Sequence, residues 1–176
     1  MAGIDRFFDS MTRVCGSIAA FWAMLLAFII AADIIARTVL NAPMIGVPEL
    51  VANCIVSIVF LQLPYAIYRS AHLRTTVIYQ NTPEIVQRLI DVISFSFGIM
   101  FFIGVAWGGW DDMIIGWEVD EREGEGSIRI PVAPIRTLIV VFGVVSAATY
   151  LLMLLHTVIG TRPAYTEREG EINAPL

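Results

Sequence analysis

Four stretches of the chain contain no Asp, Glu, Lys or Arg: Val14 to Ala32, Leu50 to Tyr68, Val92 to Trp110 and Thr137 to Thr161. The first three hold 19 residues each and the fourth 25, and a hydrocarbon layer about 30 Å thick is crossed by roughly 20 helical residues rising about 1.5 Å each. Backbone inside lipid must satisfy its own N–H and C=O groups, which a helix does internally. The runs therefore predict an all-α integral membrane protein with four transmembrane helices, over about 14–36, 49–68, 85–110 and 134–160 of a membrane domain at 14–161. Outside that domain lie an N-terminal segment, 1–13, and a polar C-terminal tail, 162–176, expected to be flexible.

Composition agrees. Of 176 residues, 57% are hydrophobic and 15% charged, against roughly 45–50% and about 25% in soluble domains, so a soluble globular enzyme is excluded. The net charge of -5, with all eleven basic residues Arg, leaves no polybasic patch for nucleic acid. Cys15 and Cys54 lie in separate apolar runs, which offers neither a disulfide framework nor a zinc knuckle. The first apolar run exceeds the roughly 7–15 residues of a signal peptide and continues through Ile34 and Ile35 to Arg37, so it is expected to be retained.

Arginine placement sets the expected orientation, because cytoplasmic loops carry the excess of positive charge. Arg6, Arg13, Arg69, Arg74, Arg88, Arg162 and Arg168 fall on one side, and Arg37, Arg122, Arg129 and Arg136 on the other. Both termini are thus expected in the cytoplasm. The longest connection, Asp111 to Arg136, carries seven acids and should face outward. Tyr65, Tyr68 and Tyr79 mark the inner boundary, and Trp107, Trp110 and Trp117 the outer one.

Candidate sites follow from the few polar residues near the spans. Asp33 and Arg37 are four apart near the outer end of the first helix, and Glu49, Asn53 and Ser57 form a four-spaced stripe at the start of the second. Asp33, Arg37, Glu49 and Asn53 are expected to form a structural polar clamp, the other reading being a proton or substrate relay. At the inner end of the second helix, Arg69, His72 and Arg74 are expected to anchor the chain to lipid phosphate or a partner, or else to form a solvated turn. His72 and His156 share that side, which makes a haem site conceivable without a carboxylate to orient the rings. Small residues at Ala19, Ala23, Ala27 and Ala31, at Gly104 and Gly108, and at Gly143 and Ala147 mark helix-packing faces, within the chain or toward a partner. No nucleophile–base set, phosphate loop or metal cluster stands out, so no catalytic residue, cofactor or metal is expected.

The stretch Arg37-Thr-Val-Leu-Asn-Ala-Pro43-Met-Ile-Gly-Val-Pro48-Glu49-Leu50 is followed about twenty residues later by Ala71-His72-Leu73-Arg74. With Gly126-Ser127-Ile128-Arg129-Ile130-Pro131, Pro134 and the Gly143 helix, this order resembles the small membrane subunit, the DctQ family, of tripartite ATP-independent periplasmic (TRAP) transporters over about residues 10–160. It departs from the usual pattern at Pro48 and Ala71. The resemblance implies a scaffold subunit of the bacterial inner membrane. Its partners would be a large multi-helix membrane subunit that carries the substrate and sodium sites, and a periplasmic substrate-binding protein that delivers an organic acid; membrane lipids complete its surroundings. The outer acids and aromatic then become a docking surface for the binding protein, at Trp117, Asp120, Glu121 and Glu123, unless Met113 to Trp117 is an interfacial anchor. Two other functions compete. One is a self-sufficient four-helix proton-coupled carrier cycling protons on Asp33; the other is a haem-binding membrane redox subunit.

Overall fold

The computed structural model describes residues 2–42, 44–70, 83–123 and 129–159. Four long helices account for most of them: α1 (Ala2–Val39), α2 (Val47–Ser70), α3 (Glu84–Glu118) and α4 (Ala133–Ile159). Each is long and apolar enough to cross a membrane. A two-residue hairpin between α3 and α4 pairs β1 (Arg122–Glu123) with β2 (Ile130–Pro131) in antiparallel register, Arg122 opposite Pro131.

Two helices overrun the expected spans. The segment 1–13, expected to stand apart, is from Ala2 onward the first turns of α1, whose 38 residues measure about 57 Å. Its Asp5, Asp9 and Thr12 fall on one helical face and are buried, so α1 continues past the apolar run because that face has chain to pack against. Likewise the expected loop from Asp111 is helical as far as Glu118, giving α3 35 residues, about 52 Å. Charge ended the apolar runs there; it did not end the helices.

Turn chemistry joins α1 to α2. Asn41 (φ 52°) and Gly46 (φ 88°) occupy the left-handed region, which short polar residues and glycine enter most readily. The Leu40 and Ala42 amides both donate to the Ala36 carbonyl. Pro48 sits in the first turn of α2, where its missing N–H removes no helical hydrogen bond.

The helices form a row and not a closed bundle: α1 packs on α2, α2 on α4, and α4 on α3. Two clusters hold the interior together. Tyr68, Phe95 and Met153 are buried with Phe8 against them, bringing all four helices together near the end where α1 begins and α4 finishes, the end that bears the termini of the described residues. Ile67, Phe102 and Ala147 form the second, and the Tyr150 ring stacks on Phe102 at 5.9 Å.

The small-residue faces divide. Gly143 meets the α3 backbone at Phe102 and Ala106, and Gly98 is crossed by the Tyr150 ring, which a Cβ would approach to 2.9 Å. Gly104 and Gly108 have no atom within 4 Å of a built Cβ and border a groove whose other wall is Arg136 and Ile139 of α4. On α1, Ala19 is buried whereas Ala27 and Ala31 are exposed.

Candidate functional site

The polar groups gather at the two ends of the row. At the end opposite the termini, Asp33 is nearly buried and both its oxygens are used. Oδ2 accepts from Arg37 Nη2 at 3.0 Å, and Oδ1 accepts the Met44 backbone N–H at 3.0 Å. A turn amide that has left the helix needs an acceptor, and Asp33 supplies it across eleven residues. The carboxylate therefore holds the α1–α2 connection down onto α1.

Glu49 and Asn53 were expected in the same cluster, and the structure does not join them to Arg37. Among the described residues Arg37 pairs with Asp33 alone, and its guanidinium is half exposed. The Asn53 amide donates to the Glu49 main-chain carbonyl at 3.0 Å and Ser57 Oγ to the Asn53 carbonyl at 3.0 Å, so the stripe bonds back along its own helix. Among the described residues no donor reaches the buried Glu49 Oε2.

Beyond α3 the chain folds over Arg136. Its guanidinium bonds both Glu121 carboxylate oxygens, at 2.7 and 3.0 Å, and the Asp112 carbonyl at 2.9 Å. Arg122 bonds Asp120 at 2.7 Å, and Trp117 Nε1 donates to Thr137 Oγ1 at 2.9 Å. The expected docking residues are thus partly committed inside the chain: Glu121 to Arg136, Asp120 to Arg122, and Trp117 to α4 while its ring stays exposed. The Glu123 backbone pairs with Ile130 in the hairpin. Asp111, Asp112 and Glu118 are exposed on the last turns of α3.

A second polar cluster, at the end bearing the termini, escaped the sequence reading. His156 Nε2 lies 2.7 Å from Asp5 Oδ1, and both side chains are about 5% exposed. This contact bolts the first turns of α1 to the last turn of α4 across 151 residues. The Tyr68 hydroxyl reaches the Asp5 carbonyl at 3.5 Å, which adds α2. Asp9 pairs with Arg13 at 2.6 Å, Thr12 Oγ1 donates to the Phe8 carbonyl at 2.7 Å, and the Arg69 guanidinium lies 5.6 Å from the centre of the Tyr65 ring. The helical spacing of Asp5, Asp9 and Thr12 was the available signal. Charge in that segment, Asp5, Arg6 and Asp9, hides the signal, because it ends the apolar run without ending the helix.

His72 and Arg74, expected to act with Arg69 as an anchor, lie outside the described residues. The haem reading fares poorly on its other member, since the Nε2 of His156 is taken by a carboxylate. Among the described residues no three His, Cys, Asp or Glu side chains converge to hold a metal.

Four long apolar helices, tied by polar contacts at both ends, define an all-α integral membrane protein. The family profile of the "Tripartite ATP-independent periplasmic transporters, DctQ component" matches residues 11–160, and the chain belongs to this family. It is a TRAP transporter small membrane subunit, a multi-pass component of the inner membrane and not an enzyme. A search of curated proteins gives no match.

Proposed function

We propose that the chain is the static scaffold of its transporter, pairing with the large membrane subunit while that subunit takes up an organic acid with sodium and a periplasmic binding protein delivers it. The observation that carries this reading is the row of helices. An open row leaves long apolar flanks on α1 and α3, including Phe21, Phe28, Ile35, Phe97 and Phe101, for a partner or lipid to cover. Hydrogen-bonded bolts at both ends resist sliding of one helix past another. The clamp of Asp33 and Arg37 is structural on this account, because both Asp33 oxygens are committed to donors and none is left to carry a travelling proton. That argument also counts against the self-sufficient carrier.

The termini are assigned to the cytoplasm, with Arg6, Arg13, Arg69 and Arg88 at that end and the hairpin in the periplasm. Arg69, with His72 and Arg74, anchors the inner end of α2. The binding protein touches the hairpin end, where Asp111, Glu118 and the Trp117 ring are exposed.

Reconstitution tests the scaffold role. Liposomes holding the chain alone, with a sodium gradient and the binding protein, should show no organic-acid uptake, and adding the large subunit should restore it. Uptake by the chain alone would overturn the proposal.

A further inference from the structure

We propose that the groove between α1 and α2, at the end bearing the termini, holds one anionic glycerophospholipid from the adjoining leaflet. The groove encloses about 420 Å³ and is lined by Arg13, Gly16, Ser17, Gln62, Tyr65 and Ala66. Its floor is Gly16 against the Tyr65 ring, where a Cβ would come within 3.1 Å, so the two helices are as close there as side chains permit.

Polarity along the groove runs in the order of a lipid's own groups. Arg13 stands at the mouth with its side chain 42% exposed, and Tyr65 forms the facing wall. Ser17 is one turn deeper than Arg13, about 6 Å, and Gln62 about one turn deeper than Tyr65 on the facing helix, about 4–5 Å. A guanidinium at the mouth, then a hydroxyl and an amide deeper in, match an anionic headgroup followed by its glycerol esters. Basic pockets between transmembrane helices hold such headgroups.

Need as well as fit points to an occupant. Ser17 and Gln62 are exposed, and among the described residues neither side chain hydrogen-bonds to the protein. Inside a membrane an unsatisfied amide is costly, so Gln62 calls for a polar occupant of the groove. Asp9 takes one Arg13 nitrogen from a buried position, which leaves the rest of that guanidinium at the groove. Among the described residues that line the groove there is no Asp or Glu to meet the cation of a zwitterionic headgroup, the one acid beside it, Asp9, being bound to Arg13.

The test uses the full-length chain purified in mild detergent, both alone and with its co-assembled subunits. It is given equal amounts of phosphatidylglycerol and phosphatidylcholine with matched acyl chains, and native mass spectrometry counts the lipids retained. A single phosphatidylglycerol should be kept in preference by about fivefold or more, the effect of roughly one arginine near an anionic surface. Gln62→Leu and Ser17→Ala change exposed positions without protein partners. Each should lower that retention by about fivefold with the melting temperature unchanged. Arg13→Gln should abolish the preference and Arg13→Lys keep it, while Trp107→Leu, in the groove between α3 and α4, should leave it alone. Equal retention of the two lipids, or no response to Gln62→Leu and Ser17→Ala, would overturn the proposal. A preference that vanishes on assembly would overturn it too, by giving the groove to a partner helix.

Discussion

The two ends of the helix row solve one problem with opposite kinds of contact. At the end opposite the termini, the ties are short in sequence: Asp33 to Arg37 over four residues, Asp33 to the Met44 amide over eleven, and Arg136 to Glu121 over fifteen. At the end bearing the termini, Asp5 meets His156 across 151 residues, inside a cluster to which all four helices contribute. Local ties shape connections between neighbouring helices. The distant tie closes the chain on itself and holds α1 to α4, two helices that are not neighbours in the row. The two ends should therefore fail differently when broken.

The largest effect is expected at the distant tie. Asp5→Ala leaves His156 facing a buried gap, and removing one member of a buried, hydrogen-bonded pair costs about 3 kcal/mol. His156→Ala should cost about as much, and the double variant clearly less than the sum, because the two groups lose the same interaction. Reversible unfolding in mixed micelles measures all three. Additive losses would mean that Asp5 and His156 do not act as a pair, and the contrast between the ends would go with them.

Next comes Arg136. Arg136→Ala removes a two-pronged bond to Glu121 and a bond to the Asp112 carbonyl, at partly exposed positions, for an expected loss of about 1–2 kcal/mol. The damage should be local. Hydrogen exchange at the Glu121 and Val132 amides, which tie the hairpin to Gly116 and to Glu121, should speed up while the Asp5–His156 end keeps its protection. Equal acceleration at both ends would show that the row unfolds as one unit and that the ends are not independent.

This division by sequence distance also explains what could be read before the fold was known. The four spans were legible because absence of charge over 19 or more residues has one common physical cause. Asp33 with Arg37 was legible because residues four apart share a helix face. Asp5 with His156 was not, since no spacing rule links the two ends of a chain. The Met44 amide was invisible for another reason: every residue but proline has one, so only the turn's geometry aims it at Asp33. Glu49 shows the reverse error. Bringing two helix ends together suggested an ion pair with Arg37, whereas the fold leaves Arg37 on Asp33 and turns Asn53 back onto its own helix.

Charge reversal at the hairpin end separates docking from folding. Glu121→Lys cannot test docking, because it also breaks the bond to Arg136. Asp111→Lys with Glu118→Lys changes exposed acids on the last turns of α3. It should raise the amount of binding protein needed for half-maximal uptake by about fivefold at low salt, and the effect should fade as the screening length drops below about 8–10 Å. An unchanged titration at low salt would remove these acids from the docking surface and leave this end with a purely structural role.

The smallest expected effect distinguishes the two halves of the Asp33 tie. Arg37 is half exposed and four residues from Asp33, and pairs of that kind contribute about 0.3 kcal/mol. Arg37→Ala should thus leave the melting temperature nearly unchanged, because Asp33 keeps the Met44 amide. Asp33→Asn is more informative, since an amide oxygen still accepts from Met44 while the ion pair is lost; it should resemble Arg37→Ala. Asp33→Leu removes the acceptor and should release the connection, seen as faster exchange of the Met44 amide and quicker proteolysis between Leu40 and Gly46. If Arg37→Ala instead released the connection as fully as Asp33→Leu, the guanidinium would be the member that orients the carboxylate. The local end would then depend on an ion pair just as the distant end depends on Asp5 and His156.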